Sequence, residues 1–397
     1  MWPEVSLDQL GYVSRGRSRH RPRNDPSLYD GPYPFIQTAE VKAANLRICS
    51  HSQTYSEKGF EQSRLWPENT LCITIAANIA DTALLSYPAC FPDSIIGFVA
   101  DESKCDVRYV KYYFNIVQEH MRMVSHGATQ DNLSQDKLLR FGIPCPPLET
   151  QHAISETLAA YDDLIETNRR RIVLLEESAR LLYREWFVNL RFPGYEQSKV
   201  VDGLPVGWSR QPLSALIEES PKTPFEKDKI YPFVPMQSLS ESSMVIGARE
   251  EREISGGAKF HNLDTLLARI TPCLENGKTG FVQFLSDELP VASGSTEFIV
   301  MRSKSVSPYW VYCLAREDSF RDHAIRSMAG ADGRQRVKTK CFDTYMTLQP
   351  PASILQEFDA IMEPLFNEVE ILARQNVRLQ DARDRLLPKL MSGEIQV

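Results

Sequence analysis

The feature that most constrains this chain is an internal duplication, because the second half of its 397 residues repeats the first at an offset of about 200 residues. Matching landmarks include Trp2/Trp208, Tyr33/Tyr231, Tyr109/Tyr309, Pro146/Pro350 and Gln151/Gln356. From Gln151/Gln356 onward the offset stays constant without a gap to Leu182/Leu387. Such a chain is expected to form two similar modules rather than one core.

Each half has the same internal order of short β-like runs, a Pro-Pro step and a long helical pattern. Proline, glycine, asparagine and serine interrupt the β-like runs, and a Pro-Pro step ends a strand or helix. We therefore predict an α+β fold, with two globular domains in pseudo-twofold duplication that are separated by two long helices forming an antiparallel coiled coil. The predicted segments are 1–148 (first globular domain), 149–192 (central helix), 193–351 (second globular domain) and 352–397 (distal helix).

The two helical segments carry apolar residues in alternating steps of four and three, which is typical of a coiled-coil seam. The predicted seam comprises Ile154, Leu158, Tyr161, Ile165, Asn168, Ile172, Leu175 and Leu182 in the first helix, and Leu365, Val369, Leu372, Asn376, Leu379 and Leu386 in the second. Pro364 is expected to mark the start of the regular part of the second helix. Asn168 and Asn376 are either solvated at the seam edge or buried amides that fix the register.

Composition excludes several classes of protein. The chain is 42% hydrophobic and 24% charged, which is ordinary for globular proteins. It has no apolar run long enough to cross a bilayer and no secretory leader, so a cytoplasmic location and no membrane partner are expected. Its eight cysteines include no CxxC pair, and its seven histidines form no HExxH motif, so no metal site is predicted.

Because the net charge is −7, any phosphate-binding surface must be local. Glycine-flanked arginine, lysine and glutamine side chains suit phosphate and base-edge contacts, although a charged loop can also be merely solvated. The candidate DNA-binding residues are Arg15, Arg17, Arg19, Arg21, Arg23, Gln37, Thr38, Gln130 and Asn132 in the first half, and Arg334, Gln335, Arg336, Lys338 and Lys340 in the second.

Two patterns imitate catalytic motifs. Asp93, Glu102 and Lys104 match the PD…ExK spacing of metal-dependent nucleases, but the second half has no equivalent. The run Asn276-Gly277-Lys278-Thr279 resembles the end of a phosphate loop, yet Pro272 stands where that loop needs glycine. No nucleophile-elbow, dinucleotide-binding or methyltransferase motif is present, so we predict no catalytic residues in this chain.

Three stretches carry a family resemblance. Pro146-Pro147-Leu148-Glu149-Thr150-Gln151 with Asp162 to Arg170, and then Trp186-Phe187-Val188, resemble the central conserved region of specificity subunits of type I restriction-modification systems. Leu386 to Ile395 resembles their distal conserved region, and Ile270 to Lys278 resembles a stretch common in their target-recognition domains.

The resemblance implies a DNA-recognition subunit without chemistry of its own. Each globular domain would read one part of a split, asymmetric double-stranded DNA site, and the helices would set the spacing and carry methyltransferase subunits. The cofactors would belong to the partners: S-adenosylmethionine to the methyltransferase, and ATP and Mg²⁺ to the assembly with restriction subunits. The alternatives are a PD-ExK-like nuclease and a helical scaffold that binds only proteins.

Overall fold

The computed structural model describes residues 2–76, 78–126, 133–226, 228–254, 256–331, 333–338 and 340–397, with the side chains of 124–126 excepted. The chain divides into two compact units, of which the first comprises 1–166 with 377–397 and the second 167–376. Both long helices therefore contribute to both units. The four-segment division stays a prediction. No helix within these described ranges is both long enough and apolar enough to span a membrane.

The first unit is organised around a five-stranded sheet. The strands of the whole unit, five of which form this sheet, are Glu4–Val5 (β1), Gly11–Arg15 (β2), Tyr29–Phe35 (β3), Arg47–Ile48 (β4), Gln53–Tyr55 (β5), Leu71–Thr74 (β6), Thr82–Leu85 (β7), Ile95–Ala100 (β8) and Ile143–Pro144 (β9). Its helices are Leu7–Leu10 (α1), Thr38–Ala43 (α2), Glu57–Glu61 (α3), Val107–His126 (α4), Gln135–Leu138 (α5) and the first part of Leu148–Tyr183 (α6), which a π-helical turn extends to Val188. The central sheet has the order β2-β8-β6-β7-β4, and all pairs except β4/β7 are antiparallel. Strands β6 and β7 are buried along their whole length, which explains why each is apolar apart from one threonine.

The second unit repeats this plan with more strands. They are Val200–Val201 (β10), Leu204–Pro205 (β11), Ser209–Pro212 (β12), Ile217–Glu219 (β13), Ile230–Val234 (β14), Glu250–Glu253 (β15), Ala258–Phe260 (β16), Thr265–Ala268 (β17), Thr279–Phe281 (β18), Ala292–Gly294 (β19), Phe298–Ser303 (β20), Met328–Ala329 (β21), Arg336–Val337 (β22) and Met346–Gln349 (β23). The helices are Leu213–Leu216 (α7), Pro308–Arg316 (α8), Asp318–Arg326 (α9), Lys340–Thr344 (α10) and most of Ala352–Ser392 (α11).

The topology confirms the predicted duplication and the α+β fold. One sheet of the second unit has the order β13-β20-β17-β18, which matches β2-β8-β6-β7 of the first. The pair β12/β23 likewise corresponds to β1/β9. A second four-stranded sheet, β15-β14-β19-β16, completes the second unit. Aromatic residues that follow β8 and β20, such as Tyr112 and Trp310, are buried on a helix face.

The two long helices run antiparallel within the second unit. Arg171 pairs with Glu368 at 2.5 Å, and the Trp186 ring lies 5.8 Å from that of Phe358. None of the predicted seam residues is exposed. In the second unit the seam is richer than predicted, because Phe358, Met362 and Phe366 have no exposed surface.

Asn168 and Asn376 are buried rather than solvated. The Asn168 Nδ2 donates to Asn376 Oδ1 at 3.0 Å, and the two residues are 1% and 9% exposed. In the first unit Arg383, which lies between the seam residues Leu379 and Leu386, is also paired, because its guanidinium donates to Asp162, which in turn accepts from Tyr112. Each of these polar side chains therefore has a partner inside the helix packing.

The expectation for Pro364 was wrong. Helix α11 begins at Ala352 and passes through Pro364 without a break. Proline removes one backbone donor from a helix, which leaves the carbonyl four residues earlier without its intrahelical partner. Pro364 is exposed, so water can solvate that carbonyl, while Met362 and Phe366 on either side of it keep the buried face intact.

Candidate nucleic-acid interface

The arginine-rich segment of the first unit follows the edge strand β2 and has a fixed backbone. The amide of Arg17 donates to the Phe91 carbonyl at 3.1 Å, and the amide of Arg19 donates to Gln62 Oε1 at 2.5 Å. The Ser63 hydroxyl donates to the Arg17 carbonyl at 2.9 Å. The backbone is thus held in place, whereas the predicted residues Arg15, Arg17, Arg19, Arg21 and Arg23 are all exposed.

These five arginines differ in their partners. Arg23 is paired with Asp93 at 2.8 Å, and the Arg21 guanidinium donates to the Ser18 and His20 carbonyls at 2.7 and 2.8 Å. For Arg15, Arg17 and Arg19, no side-chain hydrogen bond or ion pair occurs within the part of the chain that the structure describes. Their guanidinium groups can therefore bind an anion without first giving up a partner.

A neighbouring cluster escaped the sequence analysis. Arg64 donates from Nη1 to the Tyr12 hydroxyl at 2.7 Å, and its guanidinium lies 4.3 Å from the centre of the Trp66 ring. Hydrogen bonds with Ser14 and Arg64 lower the pKa of Tyr12, which is 49% exposed. Tyr12 and Arg64 are far apart in sequence, and no short motif joins them. Only the tertiary fold places them together, near Arg17.

The other candidates in the first unit are less available. Gln37 precedes α2 and is half-buried, and its Nε2 donates to Gln53 Oε1 at 2.7 Å. Thr38, also half-buried, is the first residue of α2. Gln130 and Asn132 lie outside the described residues. A base-edge role for Gln37 would require it to exchange its present partner.

In the second unit, the predicted residues surround the short hairpin β21/β22. Arg334, Arg336, Lys338 and Lys340 are exposed, and Gln335 is half-buried. Arg336 forms a forked ion pair with Glu297 at 2.7 to 3.0 Å, which lowers the pKa of that carboxyl. The hairpin is joined to the stretch that begins at Ile270, because the Thr271 amide donates to the Gln335 carbonyl at 3.0 Å.

A basic cleft of the second unit was also missed. It is about 780 Å³ in volume, and Lys222, Lys259 and Arg269 contribute its cationic side chains. Its first wall follows β13, which is the counterpart of β2, so this wall is topologically equivalent to the arginine segment of the first unit. Lys222 follows β13, Lys259 lies within β16 and Arg269 follows β17, so the three cations form no run in the sequence. These residues could have been predicted from the sequence only by aligning the two repeats strand by strand.

Asp93, Glu102 and Lys104, which match the PD…ExK spacing, do not form a nuclease site. Asp93 precedes β8 and Glu102 follows it, and a six-residue strand separates its ends by roughly 20 Å. Asp93 instead pairs with Arg23, and Lys104 pairs with Asp101 at 3.1 Å. Within the described ranges, no group of three histidine, cysteine, aspartate or glutamate side chains could hold a metal ion. The geometry therefore gives no support to the nuclease alternative.

The fold is duplicated, with basic side chains exposed in both units, and comparisons with known proteins show what it is similar to. A family model described as "Type I restriction modification DNA specificity domain" matches residues 1–177. The whole chain is 25% identical over 421 residues to the type I restriction enzyme MjaIX specificity subunit of Methanocaldococcus jannaschii, of which it covers 94%. It is 22% identical over 470 residues to the HindI specificity subunit of Haemophilus influenzae, and the match covers 99% of each chain.

A solved structure agrees on the fold. The S subunit of a type I restriction-modification system from M. genitalium superposes with a TM-score of 0.61 at 15% identity, covering 98% of this chain and 96% of that one. Over its whole length the chain is thus similar to specificity subunits of type I restriction-modification systems.

Proposed function

We propose that this chain is the DNA sequence-specificity subunit of a type I restriction-modification complex. It reads a split, asymmetric DNA site, with one recognition surface in each unit. The observation that carries the proposal is the pairing of one repeated topology with two different cationic surfaces. Arginines follow β2 in the first unit, whereas Lys222 and a basic hairpin occupy the second. Equivalent modules with different loops suit two half-sites of different sequence.

The chemistry of the complex resides in its partners. Methyltransferase subunits supply S-adenosylmethionine-dependent methylation, and restriction subunits act with ATP and Mg²⁺, whereas this chain is non-catalytic. Because DNA is the target, we place the complex in the cytoplasm. The overall charge of −7 favours joint binding, in which partner subunits add phosphate contacts that this chain lacks.

The long helices offer a docking surface for the methyltransferase subunits. Within the second unit, Val173, Leu174 and Leu181 of α6 are 62%, 55% and 55% exposed, and Ile371 of α11 is 50% exposed. Apolar side chains repeatedly exposed on a helix, outside its packed seam, are typical of protein interfaces. We assign this surface to the methyltransferase rather than to DNA, because apolar groups gain little from phosphates.

The test is to co-express the chain with its methyltransferase partner and to map methylated adenines across the host genome. We expect a split asymmetric motif that disappears when this chain is deleted. A methylation pattern that is indifferent to the chain would contradict the proposal. Purified complex that binds protein partners but shows no sequence-selective DNA binding would instead favour the scaffold alternative.

A further inference from the structure

The basic cleft of the second unit combines positive charge with an otherwise neutral lining. Besides Lys222, Lys259 and Arg269, its described lining residues carry only hydroxyl, apolar or backbone groups, among them Thr223, Thr296 and Phe298. No aspartate or glutamate is among the described residues that line it. Because the chain as a whole is acidic, this segregation of charge is local. Such a surface attracts anions.

The first wall of the cleft is held in shape by a buried network. The Thr223 hydroxyl donates to the Lys259 carbonyl at 3.3 Å and accepts from Arg302 at 3.1 Å. Arg302 in turn forms a two-pronged ion pair with Asp264, whose side chain has no exposed surface, at 2.7 and 2.8 Å. The loop that carries Lys222 is therefore fixed before any ligand binds.

The backbone on both sides of the cleft adopts conformations that few residues tolerate. Ser220 has a φ of 44°, and its amide donates to the Val300 carbonyl at 2.7 Å. Gly257 has a φ of 82°, and a Cβ there would lie 2.1 Å from the Gly294 carbonyl oxygen. Only glycine fits this approach. Strained backbone is retained where the surrounding structure holds it, and it is common at binding sites.

In the described part of the chain, no carboxylate forms an ion pair with either lysine of the lining. Glu297 is engaged by Arg336 at 2.7 Å. Glu219 is half-buried, and burial raises its pKa, although Arg269 partly opposes this. Lys259 lies 5.1 Å from the centre of the Phe225 ring, which is 36% exposed. Lys222 is exposed, and no partner for its ammonium group is present in the described part of the chain.

We propose that this cleft binds the phosphodiester backbone of the DNA strand at the half-site that the second unit reads, an inference that rests on the proposed function. The lining favours backbone over base recognition. Lysine ammonium groups and hydroxyls bind phosphate oxygens and can also reach base edges, but the forked amides that read adenine and the carboxylates that read cytosine are both missing from the described lining. The described lining holds no asparagine or glutamine, and Arg269 already donates to the Val337 carbonyl at 3.1 Å. Phe225 and the prolines can pack against deoxyribose.

The test compares two double variants of the assembled complex that remove equal charge. Lys222→Ala/Lys259→Ala removes both lysines of the cleft and leaves Arg269, and Arg210→Ala/Lys304→Ala removes two exposed cations that do not line it. Binding to target and to unrelated duplex DNA is measured over a range of salt concentrations. We expect the cleft variant to lose roughly tenfold or more in affinity for both duplexes, and its salt slope to fall by about 1.8. The control is expected to stay near wild type.

Three outcomes would overturn the assignment. The first is a cleft variant that behaves like the control, and the second is a loss confined to one base position, which would indicate base readout. The third is that inorganic phosphate, added at constant ionic strength, displaces the DNA from the complex. A site for free phosphate is saturated by the free anion, whereas a contact with the DNA backbone is not. If wild-type complex itself shows no sequence-selective binding, the proposed function fails instead, so the two failures are distinguishable.

Discussion

At the scale of single residues, Glu176 shows how the second unit uses a buried carboxylate. It lies on α6 and is 8% exposed, and its two oxygens accept from the Met244 amide at 3.1 Å each. The Ser243 hydroxyl also donates to it. Burial raises the pKa of Glu176 above its usual value, although these hydrogen bonds act in the opposite direction. The carboxylate therefore ties the loop at 243–244 to the helix at some electrostatic cost.

This cost predicts opposite results for two substitutions. Because the folded-state pKa is raised, the folded chain holds a proton that the unfolded chain has released, and stability falls as pH rises from about 4.5 through the folded-state pKa. Glu176→Gln keeps an acceptor and removes this fall, so the variant is expected to be at least as stable as wild type at neutral pH. Glu176→Ala leaves the Met244 amide without a partner and is expected to cost about 1–3 kcal/mol.

The measurement is hydrogen exchange of residues 240–247, together with thermal unfolding at acidic and neutral pH. Local protection should be lost in the alanine variant and kept in the glutamine variant. Equal loss in both variants would show that the negative charge itself, rather than the hydrogen bonds, holds the loop.

At the scale of elements, the long helices could be predicted well and the recognition surfaces only in part. A coiled-coil seam repeats every few residues, so its period is visible along the chain. The basic cleft, by contrast, joins Lys222, Lys259 and Arg269 through the order of strands in two sheets, and this order is a tertiary property. The role of Pro364 was missed because its effect depends on which side of α11 faces water.

The asparagine pair in the seam gives a prediction for the helix packing. Replacing Asn168 or Asn376 alone by leucine leaves the other amide buried without its partner, which is expected to cost about 1–3 kcal/mol. The double replacement makes this layer apolar and should recover most of that loss. Unfolding of the two single variants and of the double variant closes a double-mutant cycle. Additive losses, with no recovery in the double variant, would show that the observed 3.0 Å contact carries no coupling.

At the scale of the whole molecule, the duplication separates what the two halves share from what distinguishes them. The strand order of the central sheet and the end pair of strands are common to both units. The units differ in the segments after β2 and β13, in the second four-stranded sheet of the second unit and in the basic hairpin β21/β22. Because each unit has its own buried clusters, a change on one recognition surface need not disturb the core of the other. The scaffold therefore permits two recognition surfaces to diverge independently.

Because the two recognition surfaces are independent, substitutions in the two units are expected to act on different half-sites of the DNA target. Arg17→Ala/Arg19→Ala in the first unit and Arg334→Ala in the second are expected to weaken binding, with effects on affinity that add in the combined variant within about 0.5 kcal/mol. Binding of duplexes substituted in one half-site at a time checks this. If Arg334 reads a base, its loss should relax specificity in one half-site only, by about 1–3 kcal/mol. Relaxed specificity in both half-sites, or strong non-additivity, would mean that the duplicated units do not read DNA separately.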